Sequence, residues 1–137
     1  LTPGFDSRGP VALSRRDIGE VQMAKAAVRA GLKLLTEAAG IEEDDLEQIV
    51  LAGAFGTRLD PGSAREIGLI PARHRGIVRQ IGNGAGAGAC RLLADPGRSG
   101  GAARLVERMS YLELTGHPRF QDRFTQALSL DEDPWDS

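Results

Sequence analysis

Cysteine and aromatic residues are scarce in this sequence, and each scarcity excludes a class of structure. The only cysteine among the 137 residues is Cys90, so no internal disulfide can form. An iron–sulfur cluster usually takes four thiolates, so this chain alone cannot hold one. Aromatic residues make up 4% of the chain, which leaves aliphatic side chains and alanine to build the core. We therefore expect a reducing, cytoplasmic setting, with Cys90 buried and inert.

An excess of charge of one sign and a long hydrophobic run are also missing. The formal net charge is −2, and the charges are spread along the chain. A nucleic-acid surface needs a basic stripe, and a membrane span needs a longer apolar run than any present here. We therefore predict no nucleic-acid partner and no membrane association. The missing initiator methionine and the loop-like start at Leu1 suggest a fragment of a larger protein.

Glycine, in contrast, is abundant and gathers in two clusters. The apolar run that begins at Ile49 ends in Gly53 and Gly56, and a second cluster extends over residues 82–89. A strand that ends in glycines lets a ligand approach the backbone, because no Cβ stands in the way. Two such clusters predict a ligand cleft, with nucleotide as the leading candidate. Neither cluster matches the phosphate-loop or dinucleotide-binding pattern, so a tight turn and close helix packing stay open as alternatives.

The rest of the chain alternates between helical and strand patterns. Ser14 and Asp17 form a capping box that starts a long helix, and Gly40 ends it. The apolar stripe of this helix, which we expect to face the core, consists of Ile18, Val21, Val28, Leu32, Leu35 and Ala39. Further predicted elements are a strand buried on both faces over 48–52, a short helix over 60–67, a strand over 77–81, helices over 84–93 and 102–108, an edge strand over 111–114, and a last helix from Thr115 or Pro118. We divide the chain into an irregular lead-in over 1–12, a folded part over 13–130 and an acidic tail over 131–137.

Lys25 stands on the apolar stripe where an aliphatic residue is expected. Its stem could lie along the edge of the core while the ammonium reaches water. Alternatively, the ammonium could point into a cleft near Glu20 and Gln22, which lie on the adjacent turn.

The remaining charged residues give no strong signal of chemistry. His74 and His117 lie far apart with no second ligand at metal spacing, so we predict no metal site. The acidic residues between Ile41 and Gln48 are interpreted as a solvated run. We predict no catalytic residue in this chain.

Five motifs in their order resemble a known family. They are Asp17–Ala27, Leu51–Gly56, Ile67–Pro71, Gly82–Ala89 and Tyr111–Leu114. Together they resemble the C-terminal part of the reductive activators of corrinoid proteins, over roughly residues 11–130. The resemblance implies an α/β fold: a ribonuclease H-like half-domain of the actin/Hsp70/sugar-kinase superfamily, C-terminal part only.

The resemblance also implies a function for the parent protein. Members of the family are described as ATP-dependent iron–sulfur proteins that return an inactive Co(II) corrinoid to Co(I) on a methyltransferase partner. The implied cofactors are ATP with Mg²⁺, at a site shared with N-terminal parts, and a 2Fe–2S cluster held by the parent protein and not by this chain. The implied partner is the corrinoid protein of a methyltransferase system, and a homodimeric parent is compatible with the resemblance.

Single residues acquire roles by the same resemblance. The residues implied to contact nucleotide are Gly53, Ala54, Phe55, Gly56, Glu20, Gln22 and Lys25. The residues implied to form a hinge or connector are Gly84, Gly86 and Gly88. The family's phosphate hairpin is absent, so we expect no ATPase or redox activity from this chain alone. The alternative is a non-catalytic interaction domain, which the aromatic segment Phe120–Leu128 would serve.

Overall fold

The chain combines α-helices of 6 to 25 residues with one small parallel sheet. The computed structural model describes residues 5–6, 9–10, 12–72, 74 and 76–130. Their elements are β1 (Phe5–Asp6), β2 (Gly9–Pro10), α1 (Arg15–Ala39), β3 (Gln48–Ala52), α2 (Gly53–Arg58), α3 (Pro61–Glu66), β4 (Ile77–Gly82), α4 (Gly84–Ala94), α5 (Ser99–Glu107) and α6 (Phe120–Gln126). Short 3-10 turns cover Glu43–Asp45 and Pro96–Arg98. The predicted α/β class is confirmed. No helix in the described ranges is both long and apolar enough to cross a bilayer.

The ends of α1 follow from local hydrogen bonds, as predicted. The Ser14 hydroxyl accepts a bond from the Asp17 amide at 3.2 Å, and the Asp17 carboxylate accepts one from the Ser14 amide at 2.8 Å. The side-chain hydrogen bond from Ser14 holds the pKa of Asp17 below its ordinary value. Gly40 closes the helix in the left-handed conformation at φ 67°, which glycine adopts without strain.

The sheet consists of β3 and β4, which pair in parallel from Gln48 opposite Ile77 to Ala52 opposite Gly82. The chain passes through α2 and α3 between these strands. Along β3 the even-numbered residues are exposed and the odd-numbered ones half-buried, so one face is covered by the described residues. The prediction of burial on both faces is therefore wrong for this structure, since a two-stranded sheet with helices on one side leaves the other side open.

A small aliphatic core lies between the sheet and α3. Its buried members are Ala64, Leu69 and Ile70, and five partly buried side chains pack against them: Ile49, Leu51, Leu59, Ile67 and Val78. The Asp60 carboxylate caps α3 by accepting a bond from the Ser63 amide at 2.8 Å. This confirms the start of the short helix that the sequence predicts at Asp60.

A second packed region joins α1 to α6, and it reverses the expected orientation of α1. The predicted core stripe faces outward, with Val21, Val28 and Leu35 exposed to 44%, 52% and 51%. The inner face instead buries small and charged residues, namely Lys25, Ala26, Arg29, Ala30, Gly31, Leu34 and Thr36. The hydrophobic pattern fails here because the charged members of the inner face find polar partners inside the fold.

The segment before α6 contains no strand, which corrects the predicted edge strand over 111–114. The Glu113 carboxylate accepts bonds from the Thr115 amide at 2.8 Å and the Tyr111 hydroxyl at 3.0 Å. The bond from Thr115 holds the pKa of Glu113 below its ordinary value, and the bond to Glu113 raises the pKa of Tyr111. These contacts form a local turn in place of strand pairing, and α6 begins later than expected, at Phe120.

The region from α4 to α5 is largely exposed, with Gly84, Gly86 and Ala102 half-buried. Neither helix has a buried residue, and each packs mainly against the 3-10 turn between them. Cys90 is therefore exposed, which corrects the expectation of a buried thiol. In the predicted lead-in, β1 pairs with β2 in antiparallel orientation, while the predicted acidic tail lies outside the described residues.

Candidate functional site

The junction between β3 and α2 is the centre of the candidate site. Gly53 adopts φ 80°. Apart from its chain neighbours and the backbone of α2, no atom of the described residues lies within 4 Å of the position that a Cβ would occupy. The space above this backbone is therefore open to a ligand. Instead of the turn that the sequence suggests, the glycine begins α2 directly.

Gly56 has a different role from Gly53. A Cβ at Gly56 would lie 2.7 Å from the carbonyl carbon of Leu51 and 2.8 Å from its oxygen. No side chain fits there, because α2 folds back onto the strand that precedes it. Gly56 is thus required by packing, whereas Gly53 leaves room for a ligand.

The two glycine clusters lie side by side at one edge of the sheet. Gly53 directly follows β3, and β4 ends in Gly82. Parallel strands place their carboxyl ends at the same edge of a sheet. Ala52 pairs with Gly82, and a Cβ on Gly84 would lie 3.9 Å from that of Ala52. The structure therefore brings together the cluster predicted to contact nucleotide and the predicted connector, which the sequence separates by about thirty residues.

Two side chains, one on β4 and one directly after it, fix both clusters in place. Gln80 donates from Nε2 to the carbonyl oxygens of Gly56 and Leu59 and so holds α2 against the sheet. Asn83 caps α4 by accepting a bond from the Gly86 amide at 2.9 Å. A Cβ on Gly86 would approach Asn83 Nδ2 to 2.6 Å, so the cap requires glycine at this position.

The polar residues of α1 are not brought to this edge. Lys25 is 2% exposed, and its Nζ donates to the carbonyl oxygens of Ala127, at 2.9 Å, and Ser129. Gln22 donates from Nε2 to Leu128 at 3.1 Å. These contacts place both side chains at the end of α6, while α2 packs against β3 and β4.

Glu20 differs from its two neighbours because it is exposed. It pairs with Arg16 at 3.9 Å across one turn of α1. Such an exposed pair holds its side chains weakly, so the Glu20 carboxylate is available at the surface.

A buried ion pair between Arg29 and Glu43 was not predicted. The guanidinium of Arg29 donates to both carboxylate oxygens, at 3.0 and 3.1 Å, and Arg29 is 0% exposed. Glu43 is thus not part of a solvated run, which corrects the interpretation of the acidic connector. The spacing offered a signal, since Arg29 follows Lys25 by one helical turn on the same face.

The two histidines lie in different surroundings. His74 is buried, and neither of its ring nitrogens has a hydrogen-bond partner among the described residues. His117 accepts a bond at Nδ1 from the Arg119 amide at 3.3 Å, next to the start of α6. Among the described residues, no three His, Cys, Asp or Glu side chains group closely enough to hold a metal ion.

Comparisons with known proteins agree on one family. The family described as the C-terminal domain of RACo, the ASKHA domain, matches residues 4–136. The corrinoid activation enzyme RamQ of Eubacterium limosum is 38% identical over 125 residues, which are 90% of this chain and 21% of that protein. The Co(II) methylated amine-specific corrinoid protein reductase of Methanosarcina barkeri is 30% identical over 124 residues, which are 88% of this chain and 23% of that protein.

A solved structure shows the same fold. The reductive activator for corrinoid, iron–sulfur protein superposes with a TM-score of 0.76 and 26% sequence identity. The match covers 93% of this chain and 20% of that one. The chain therefore spans about a fifth of the length of the relatives it matches.

Proposed function

Because this chain belongs to the family of C-terminal ASKHA (actin/Hsp70/sugar kinase) domains of corrinoid activators, we propose that it forms the nucleotide-binding subdomain of such an activator. The whole protein would use ATP to reduce an inactive Co(II) corrinoid to Co(I). The corrinoid would be carried by the protein partner of a methyltransferase system. Two similar proteins are named for corrinoid activation and corrinoid protein reduction, which supports this assignment.

The open backbone at Gly53 carries the proposal. It lies at the carboxyl edge of a parallel sheet, beside the end of β4, where ligands of α/β proteins commonly bind. We propose that the adenosine part of the nucleotide lies over residues Gly53, Ala54, Phe55 and Gly56. The backbone provides the surface, and Gly53 provides the clearance.

Polar residues of α1 would complete the site. We propose that Glu20, Gln22 and Lys25 approach the nucleotide when the cleft closes. Glu20 is already exposed, whereas Gln22 and Lys25 bond to the end of α6 in this structure. Their participation therefore requires α1 to exchange partners.

The cofactors divide between this chain and the rest of the proposed parent protein. An open glycine edge suits a nucleotide, so this chain would bind part of the ATP. The ligands of Mg²⁺ and most phosphate contacts would come from elsewhere in the protein. The single thiol of this chain, Cys90, does not fit a 2Fe–2S cluster, and we derive no step through such a cluster here.

The connector helix α4 would transmit closure of the cleft. It begins directly beside the proposed nucleotide edge, and its glycines at 84, 86 and 88 keep one end free of large side chains. A small-residue helix can shift against a neighbour with little steric resistance. We propose that nucleotide binding moves α4 and so changes how the corrinoid partner is held. No catalytic residue is assigned to this chain.

Replacing Gly53 by asparagine tests the nucleotide site. Asparagine tolerates positive φ, so the fold should survive while the new side chain occupies the open space. We expect the affinity for ATP, measured by calorimetry on the native protein, to fall about tenfold or more.

Gly116 provides the matched control because it has φ 82° and an equally open Cβ position, but lies in the turn before α6. Gly116→Asn should leave ATP affinity unchanged. Equal affinity in Gly53→Asn and the unmodified protein would remove Gly53 from the site. If the unmodified protein binds no ATP, the interaction-domain alternative replaces the nucleotide assignment.

Reduction of Co(II) corrinoid, followed by its electron paramagnetic resonance signal, tests the activity of the whole protein.

A further inference from the structure

Two side chains of α1 bind three successive carbonyl groups directly after α6. Lys25 donates to the carbonyls of Ala127 and Ser129, and Gln22 donates to that of Leu128. These partners are separated by 102 to 106 positions in the sequence. We call this set of contacts the carbonyl clasp.

The clasp satisfies groups that would otherwise be costly to bury. Ala127 is the C-cap of α6, and the last carbonyls of a helix have no partner within the helix. The negative end of the helix dipole favours a cation there, and the carbonyls of Leu128 and Ser129 follow directly. A buried ammonium, in turn, is stable only when polar groups surround it. Lys25 therefore stays buried only while these carbonyls, or other oxygen acceptors, lie around its Nζ.

Phosphate oxygens are the alternative acceptors for the same ammonium. We propose that the carbonyl clasp is a nucleotide-sensitive latch. In it, the carbonyls of residues 127–129 and the oxygens of a nucleoside triphosphate compete for Lys25 and Gln22. The inference rests on the proposed nucleotide site. It also explains why Lys25 and Gln22, two proposed nucleotide contacts, lie beside residues 127–129 and not beside Gly53.

A second anchor would remain when the latch opens. The carboxylate of Glu37 on α1 pairs with Arg119 at 3.0 Å and with Arg123 at 2.6 Å, near the start of α6. The helix is thus held at both ends, by the clasp at its C-terminal end and by Glu37 at its N-terminal end. Loss of the clasp frees one end while the other acts as a pivot.

The consequence is a link between nucleotide state and the surface around α6. Phe120 and Phe124 stack with ring centroids 6.0 Å apart and are half-buried. When α6 turns about the Glu37 anchor, this aromatic pair changes its exposure. ATP binding would therefore alter the surface that α6 presents without any change in the helix itself.

Amide hydrogen exchange in the native protein, with and without saturating non-hydrolysable ATP, tests the latch. In the unmodified protein we expect nucleotide to speed exchange at residues 123–128 by about tenfold. Lys25→Met keeps the apolar stem but cannot donate, so exchange there should be fast already and insensitive to nucleotide. Lys33→Met is the matched control, because the ion pair of Lys33 with the exposed Glu42, at 3.9 Å, is not part of the clasp. This variant should respond like the unmodified protein.

Calorimetry in parallel separates this inference from the function it rests on. If nucleotide binds but exchange in α6 stays unchanged, the latch is wrong and the nucleotide site stands. If no nucleotide binds, both are wrong. Should Lys25→Met fail to fold, Gln22→Leu removes only the bond to Leu128 and should raise exchange of α6 partway toward the nucleotide-bound level. Unchanged exchange in Gln22→Leu would also overturn the latch.

Discussion

The two faces of α1 reverse the usual distribution of polarity, because the buried face carries charged residues and the exposed face carries apolar ones. The inner face buries Lys25 and Arg29, whereas the outer face exposes Val21, Val28 and Leu35. An amphipathic helix normally places its apolar stripe against the core. In α1, buried charges are tolerated because each has a specific partner, and that partner decides which face lies inside. Hydrophobic periodicity locates the helix but does not orient it.

Replacing Arg29 on the inner face should cause the largest loss of stability. Arg29→Met leaves Glu43 as an uncompensated buried charge, so the free energy of unfolding should fall by about 3–5 kcal/mol. Urea unfolding of the purified chain measures the loss. The double variant Arg29→Met/Glu43→Leu removes both charges and should recover most of the stability.

Lys33→Met is the control for that experiment, because the Lys33 ammonium lies 3.9 Å from a carboxylate, Glu42, whose side chain is 81% exposed. We expect a change of less than about 1 kcal/mol. A single Arg29→Met variant as stable as the control would show that the buried pair does not orient α1.

Two adjacent leucines allow the stability contributions of the two faces to be compared without changing any charge. Leu34 is 1% exposed on the inner face, and Leu35 is 51% exposed on the outer face. Leu34→Ala should cost about 2–5 kcal/mol, because it leaves a cavity on the buried face of α1. Leu35→Ala should stay within about 0.5 kcal/mol. Thermal unfolding of the two variants side by side decides the orientation, and equal losses would contradict the buried inner face.

The smallest effect is expected at the exposed start of α1, where the capping box responds to pH. The Ser14 hydroxyl lowers the pKa of Asp17 in the folded state from its ordinary value of 3.8. The stabilisation is therefore complete above pH 3.8 and is lost as the pH falls through the lowered native value. Asp17→Asn should flatten the acid limb of a stability–pH curve and leave its neutral limb parallel to that of the unmodified chain. An unaltered acid limb would show that the cap makes no such contribution.

The family resemblance and the fold class predicted from the sequence are confirmed. Both rest on motifs that occur in a fixed order along the sequence, such as the strand that stops before Gly53 and the helix that begins at Gly84. The roles of single residues in nucleotide binding remain predictions. Their geometry is now known, and it brings Gly53 and Gly84 together but directs Lys25 to α6.

Errors in the sequence prediction share a physical cause. Cys90 was expected to be buried because its neighbours are small and apolar, yet α4 packs on little of the described structure. Glu43 was expected in water because its neighbours are acidic, yet Arg29 lies opposite. The residues next to a position in the sequence predict its burial only when those same residues surround it in the fold.

The sequence by itself determined the local elements of this protein: where α1 begins and ends, where α3 is capped by Asp60, and where β3 stops. Each depends on hydrogen bonds or steric limits within four residues, which are encoded by side-chain type alone. Only the tertiary structure decided which face of α1 lies inside and which carbonyls surround Lys25. The contacts of Lys25 join residues more than a hundred positions apart, and the Arg29–Glu43 pair joins residues 14 positions apart. The free energy of both depends on burial that exists only after packing.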